Sequence, residues 1–578
     1  MSVTAPRWHL ASLYSNEDVT RTLESIQEGI KRLQNDPGTF RSQLMVFQDL
    51  MKQSEEVNDF VYCLYAEDVS QKDIIDLLEQ TEILQADLRG MKTAFEERLQ
   101  KLSEDEWTEL RSGETASYYL EERHAIMDRR LPPEQEQLIQ ALSIDGFAAW
   151  EQLYEQRFMG LRIPIDGQEV TIGQALYEAT HGVTRTSRQQ AATAIMKMCE
   201  KESDTFALML NRIAGFRLHV YAKRGWDDLL TELCEQNRIK RTTLEAMLSA
   251  IDQHQSLFQS YYARKIRLAN VVTPQWHDLE ANTFSSARHI SYTQAQELIL
   301  KQFRRVSSQL STFTKKLFDA GWVDAENRPN KSEGGFCASF PVAKESRIFM
   351  TYRGAYQDVV TLAHELGHAY HNSLLHDLTF FNQIKGTSIA ETSSTFMENL
   401  VLDAVIEESE QEERLAMLEI KIQEGLKYVG VVPSLFRFEQ RFYTERKQGP
   451  VSSVRLSELL LEEEMHHYGD VLAESAPFKW IYASHLYNTR LAFYNIPYTV
   501  GYLLSNQLYT KVKQSTAAFE TQFEPLLRTS GQAAIEELVE RHIGGDPESF
   551  VFWQQALEPL LGAIGMYLSE TEALVPVD

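Results

Sequence analysis

The chain holds only four cysteines in 578 residues, Cys63, Cys199, Cys234 and Cys337. No two are close enough to make a CxxC pair, so a CxxC metal or redox centre is excluded. Four thiols cannot form a disulfide framework for so long a chain, which points to a reducing compartment. No apolar run reaches about 18 residues, so no membrane span is expected. The opening segment has no apolar core behind a basic start, so no secretory signal is expected. Together these absences make the cytoplasm the expected location. Proline (16) and glycine (27) are sparse, as long helices require. Basic residues are in deficit, 57 against 83 acidic, for a net charge of −26. There is no long basic run, so nucleic-acid binding, which needs Lys and Arg on phosphates, is not expected.

What is present describes a soluble globular chain. Apolar residues make up 43% and charged residues 24%, which excludes a mostly disordered protein and allows a large core. The pattern is mostly α. Val19, Leu23, Ile26, Ile30 and Leu33 recur at helical spacing, with Ser15 or Asn16 as the cap and Asn35 to Gly38 as the stop. Similar helical stretches run to about residue 110. The run from Arg129 to Pro133 marks a break, and Pro133 suits the first turn of the next helix. The expected organisation is an N-terminal helical region (1–110), a helical lobe (111–200) and a catalytic domain (201–578). The acidic runs at 407–410 and 462–464 read as solvated helix faces.

Strand character is confined to one region. Residues 327–335 read as an exposed loop, rich in Asn, Pro, Lys, Ser and Gly. Residues 336–340 and 347–352 read as short strands. Residues 356–372 turn helical again.

Within that helical stretch lies His364-Glu365-Leu366-Gly367-His368, an H-E-x-x-H motif. Residues four apart share one helix face roughly 6 Å apart, so both imidazoles can reach one ion. Glu365 then sits beside the ion, placed to take a proton from a metal-bound water. Chance alone yields the pattern in at most about 6% of such chains. The metzincin continuation needs glycine at 371 and histidine at 374, where this chain has His371 and Leu374. The third ligand is therefore expected from a later helix. Glu391 is the chosen candidate, with Glu398 two turns on as an acceptor for an imidazole N–H. His371, on the same helix face, is read mainly as structural, and Cys337 as a small buried hydrophobe.

Residues 350–372 (MTYRGAYQDVVTLAHELGHAYHN) and 389–400 (IAETSSTFMENL) resemble the M3 peptidases, in particular the oligoendopeptidase F branch. Residues 6–14 (PRWHLASLY) and 334–340 (GGFCASF) also resemble that branch. The resemblance implies a mostly helical, two-lobed metallopeptidase with a deep substrate channel and a small sheet beside the H-E-x-x-H helix. It implies one zinc ion per chain held by His364, His368 and Glu391, with Glu365 as the general base. It implies short unstructured peptides as substrates, cut at internal bonds. A histidine and tyrosines near the C-terminus bind substrate and stabilise the oxyanion in the family, and they fall on His485, Tyr494 and Tyr498. The same stretch holds Tyr487 and Tyr502, and Pro497 departs from the usual pattern, so the choice among the four tyrosines stays open. Two competing readings are a peptide-binding protein without turnover and a structural zinc protein. Neither oligomeric state nor side-chain preference follows from the sequence.

Overall fold

The computed structural model describes residues 5–111, 117–127, 129–284, 289–332 and 334–576. Met1 to Thr4 of the opening segment and Glu333 of the expected loop lie outside them. Helices take up 73% of the chain, and the sheets are small. The elements that matter for function, in chain order, begin with α1 (Asn16–Gln34), α2 (Phe40–Glu67) and α3 (Lys72–Gln100). A hairpin of β1 (Arg162–Ile165) and β2 (Gln168–Thr171) precedes the 40-residue α4 (Arg185–Arg224). Then come β3 (Val323–Asp324), β4 (Phe336–Phe340), β5 (Glu345–Phe349), α5 (Tyr356–Leu375) and α6 (Thr387–Glu408). Last are α7 (Val432–Arg446) and α8 (Ile496–Gln514).

The chain divides into two compact units that are discontinuous in sequence. The first comprises 1–129, 287–404 and 504–546; the second comprises 130–286, 405–503 and 547–578. Two of the five divisions, at 404/405 and 503/504, fall inside α6 and α8.

In the first unit, α1 starts where its chemistry dictates. Ser15 Oγ accepts from Asp18 N, and Asp18 Oδ2 accepts from Ser15 N, a reciprocal cap. Its apolar stripe, Val19 to Leu33, is buried throughout. That stripe joins a core built from Phe47, Phe60, Leu84 and Phe95 of α2 and α3, with Phe340 and Phe349 of the sheet. The helix Pro133–Ser143 of the second unit opens on Pro133, as expected.

The sheet order is β3-β5-β4, with β3 parallel and β4 antiparallel to β5. β4 is thus an edge strand, and Cys337 pairs with Ile348. β5 ends at Phe349, short of the expected residue 352, because its partner β4 begins opposite at Phe336. Beyond that point Met350 N and Tyr352 N bond instead to Asp324 O and Ala325 O. The β1–β2 hairpin was not expected. Its turn is Asp166-Gly167, with φ of 49° and 80°, the left-handed pair that a two-residue hairpin loop requires.

Helix α2 grips the β4–β5 hairpin by its backbone. Glu56 Oε2 accepts from Val342 N and Ala343 N, and Asp59 Oδ2 accepts from Ser339 N at 3.1 Å. Burial, then the neighbouring Glu55 charge, pushes the Asp59 carboxyl up to about 7, although the Ser339 N–H pulls it down. A carboxyl raised on folding adds stability that is complete below its ordinary pKa and is lost as pH rises through 7. Melting temperatures should therefore fall from about pH 5 to about pH 8 more steeply in the wild type than in Asp59→Asn. Parallel profiles would contradict this assignment.

Candidate active site

Helix α5 opens where Asp358 Oδ2 accepts from Arg353 N and Ala355 N. It carries His364, Glu365 and His368, and α6 brings Glu391 and Glu398, all in the first unit. The helices meet at small residues. A Cβ on Gly367 would lie 2.6 Å from Ser394 Cα and 2.7 Å from Ser393 O, so only glycine permits this approach. Ser393 Oγ donates to Gly367 O at 2.8 Å. Thr392, Ser393, Ser394 and Thr395 are all buried.

The approach brings three donor atoms together. His364 Nε2 and His368 Nε2 are 3.1 Å apart, and each is 3.6 Å from Glu391 Oε2. A point equidistant from these three atoms lies about 2.0 Å from each, which is the bond length of zinc to nitrogen or oxygen. Among the described residues this is the one group of three or more His, Cys, Asp or Glu close enough to hold a metal ion. The donor set fits the ion.

The surrounding contacts orient these donors. His364 Nδ1 donates to Glu398 Oε1 at 2.5 Å, which turns Nε2 toward the other donors. Burial would lower the His364 pKa, but the Glu398 carboxylate outweighs it and raises the imidazole to about 9. His368 is held well below the ordinary range by burial, then by the His364 and Lys385 charges. Ser394 Oγ donates to Glu391 Oε2 at 3.0 Å.

Glu365 is 5% exposed, and its Oε2 is buried without a hydrogen-bond partner. Burial pushes its carboxyl up to about 7; the His364 charge opposes this and the Glu391 and Glu398 charges add to it. An added Cβ on Gly335, the residue before β4, would lie 3.3 Å from Glu365 Oε1. The edge strand thus passes close to this carboxylate with no side chain between them.

In the second unit, His485, Tyr494 and Tyr498 form their own cluster. The His485 ring stacks on Tyr494 at 4.6 Å, and Tyr498 is 6.1 Å from Tyr494. His485 Nδ1 meets Asn495 Oδ1. Burial holds His485 below the usual imidazole range, the Asn495 contact opposes this, and the Lys427 charge adds to it. Tyr494 and Tyr498 are partly exposed, whereas Tyr487 is fully buried against Tyr154 and Tyr502 is buried against Tyr428.

His371 is buried, with Nε2 donating to Leu527 O at 3.2 Å, so its role is structural. Cys337 is partly buried, and its Sγ accepts from Asn372 Nδ2. The sequence reading missed Gly367, Ser393 and Ser394. Their signal was a run of small residues facing the motif's own glycine. Alanine normally stabilises a helix interior over glycine by about 1 kcal/mol. Here Gly367→Ala meets backbone atoms, so it should destabilise by about 1–3 kcal/mol and lower metal content. Thermal melts with metal analysis check this; an unchanged melting temperature with full metal would contradict the packing account.

Known proteins give an independent comparison. The model of peptidase family M3 matches residues 180–558. Over 363 residues, 60% of this chain, it is 22% identical to the chromosomal oligoendopeptidase F of Lactococcus lactis subsp. cremoris, covering 58% of that protein. It is 21% identical to an oligopeptidase of Bacillus subtilis over 61% of this chain and 53% of that one. The chain therefore spans little more than half the length of these two curated relatives. The crystal structure of oligoendopeptidase-F from Enterococcus faecium superposes with a TM-score of 0.70 at 18% identity, covering 97% of this chain and all of that one. That likeness carries the fold.

Proposed function

The chain belongs to peptidase family M3, and from that premise we propose that it is a zinc-dependent oligoendopeptidase acting on internal bonds of short, unstructured peptides. The observation that carries this reading is the donor triangle of His364, His368 and Glu391 beside the unpartnered carboxylate oxygen of Glu365. One zinc ion per chain is the proposed cofactor. Bound there, zinc supplies Lewis acidity, polarising the scissile carbonyl and lowering the pKa of a water.

The chain's own residues do the rest. Glu365 Oε2 takes the proton of the attacking water and delivers it to the leaving amine. Glu398 keeps the His364 ring turned, and Ser394 keeps Glu391 turned. The free edge of β4 offers backbone groups to an extended peptide, as exposed sheet edges do. From the family resemblance we carry over His485, Tyr494 and Tyr498 as the residues that bind substrate and stabilise the oxyanion. A neutral phenol donates to an oxyanion without competing for the metal. No described helix is long and apolar enough to cross a membrane, and we place the activity in the cytoplasm.

The test is metal dependence of cleavage. Chelation should abolish hydrolysis of a mixed peptide pool, and one equivalent of zinc should restore it. Zinc that binds with no cleavage of any peptide would favour a binding protein. Unfolding on chelation would favour a structural zinc site.

A further inference from the structure

Phe493 has a φ of 57°, a left-handed conformation that a bulky side chain rarely adopts. It is buried and lies in the chain between His485 and Tyr494, two members of the polar cluster. Such an outlier persists only where the surroundings over-determine it.

Helix α7 supplies those surroundings from one face. Phe436, Glu439 and Tyr443 are spaced three and four apart. Glu439 Oε1 accepts from Phe493 N at 3.1 Å. The Phe493 ring packs on Phe436 at 5.6 Å and on Tyr443 at 5.4 Å. Arg217 of α4 donates to Tyr443 Oη at 2.7 Å and to Asn488 O at 3.1 Å. Asn488 Oδ1 in turn accepts from Arg490 N and Leu491 N. The chain is therefore pinned on the near side of the turn as well as at Phe493. After the turn, Asn495 reaches His485, and the Tyr494 ring stacks on it. All of these residues belong to the second unit.

We propose that Glu439 is a positioning residue: by holding Phe493 in the left-handed conformation, it sets the turn that presents Tyr494 and His485 to substrate. This rests on the oligoendopeptidase reading, in which Tyr494 and His485 meet the substrate. Glu439 itself is 5% exposed and touches no reacting atom.

The experiment compares Glu439→Met, Glu439→Gln, Tyr494→Phe and the Glu439→Met/Tyr494→Phe double variant, with zinc-loaded wild type and Glu365→Gln alongside. Glutamine keeps an acceptor oxygen, so kcat should stay within about threefold of wild type. Methionine removes the acceptor at similar volume, so kcat should fall at least about tenfold with KM and zinc content little changed, the mark of an interaction made in the transition state. Adding it to Tyr494→Phe should cost less than the product of the two single losses, because part of its effect runs through Tyr494 and the rest through His485. Additive losses, or a Glu439→Met enzyme as fast as wild type, overturn the proposal.

A second pair stands apart from Glu439. Phe493→Gly and Phe493→Val both lose the ring, but only glycine adopts positive φ freely. Glycine should retain at least about tenfold more kcat than valine; equal losses overturn the proposal. A wild type that cleaves nothing defeats the oligoendopeptidase reading instead, so the two failures are distinguishable.

Discussion

Glu365→Gln should bind metal as the wild type does and lose roughly 10²–10⁴-fold in peptide hydrolysis. The substitution conserves shape and keeps an oxygen, but an amide cannot accept a proton at neutral pH. The wild-type carboxyl is buried and has one oxygen unpartnered. Each of these features suits a group that must take and return a proton rather than hold a partner. Glutamine should not destabilise the fold, since it removes a buried carboxyl whose desolvation is costly. Metal content by mass spectrometry and steady-state kinetics check both halves. Robust turnover by this variant would remove Glu365 from the chemistry.

Glu391→Ala should empty the site. Two imidazoles 3.1 Å apart give only two donors, and catalytic zinc is held by three protein ligands. Bound zinc after purification should fall from one equivalent to near zero, and hydrolysis should fall with it. Glu398→Ala gives the internal comparison. Glu398 touches His364 but lies outside the donor triangle, so its loss should weaken zinc binding by about 10–100-fold without abolishing it. Full zinc occupancy in Glu391→Ala would mean that the third ligand lies elsewhere.

How far the sequence foretold this depends on the range of each interaction. His364, Glu365 and His368 were legible because their chemistry is tied to helical periodicity within five residues. The mostly helical class, the cap at Ser15 and the stripe from Val19 to Leu33 were legible for the same local reason. Spacing alone did not single out Glu391; the family resemblance of the surrounding segment strengthened that choice. The small run at Ser393 and Ser394 and the glycine at 367 were each visible, but that they meet backbone to backbone was not, because they lie on different helices. Asp59 takes up Ser339 N from 280 positions away, a contact no periodicity announces. Strand β3 is two residues long, too short for alternation to register, and its existence depends on pairing with β5. The Asp166-Gly167 turn carried a readable signal that was not used. The left-handed Phe493 had none, since its conformation is imposed by α7 and α4 rather than by its neighbours in the chain.

The most direct test of the account is mass spectrometry of a mixed pool of short and medium-length peptides, incubated with the zinc-loaded protein and, separately, with its Glu365→Gln variant. Cuts at internal bonds are expected from the wild type alone, with zinc bound equally in both proteins. No cuts by a fully zinc-loaded wild type, or equal cutting by the variant, would contradict it.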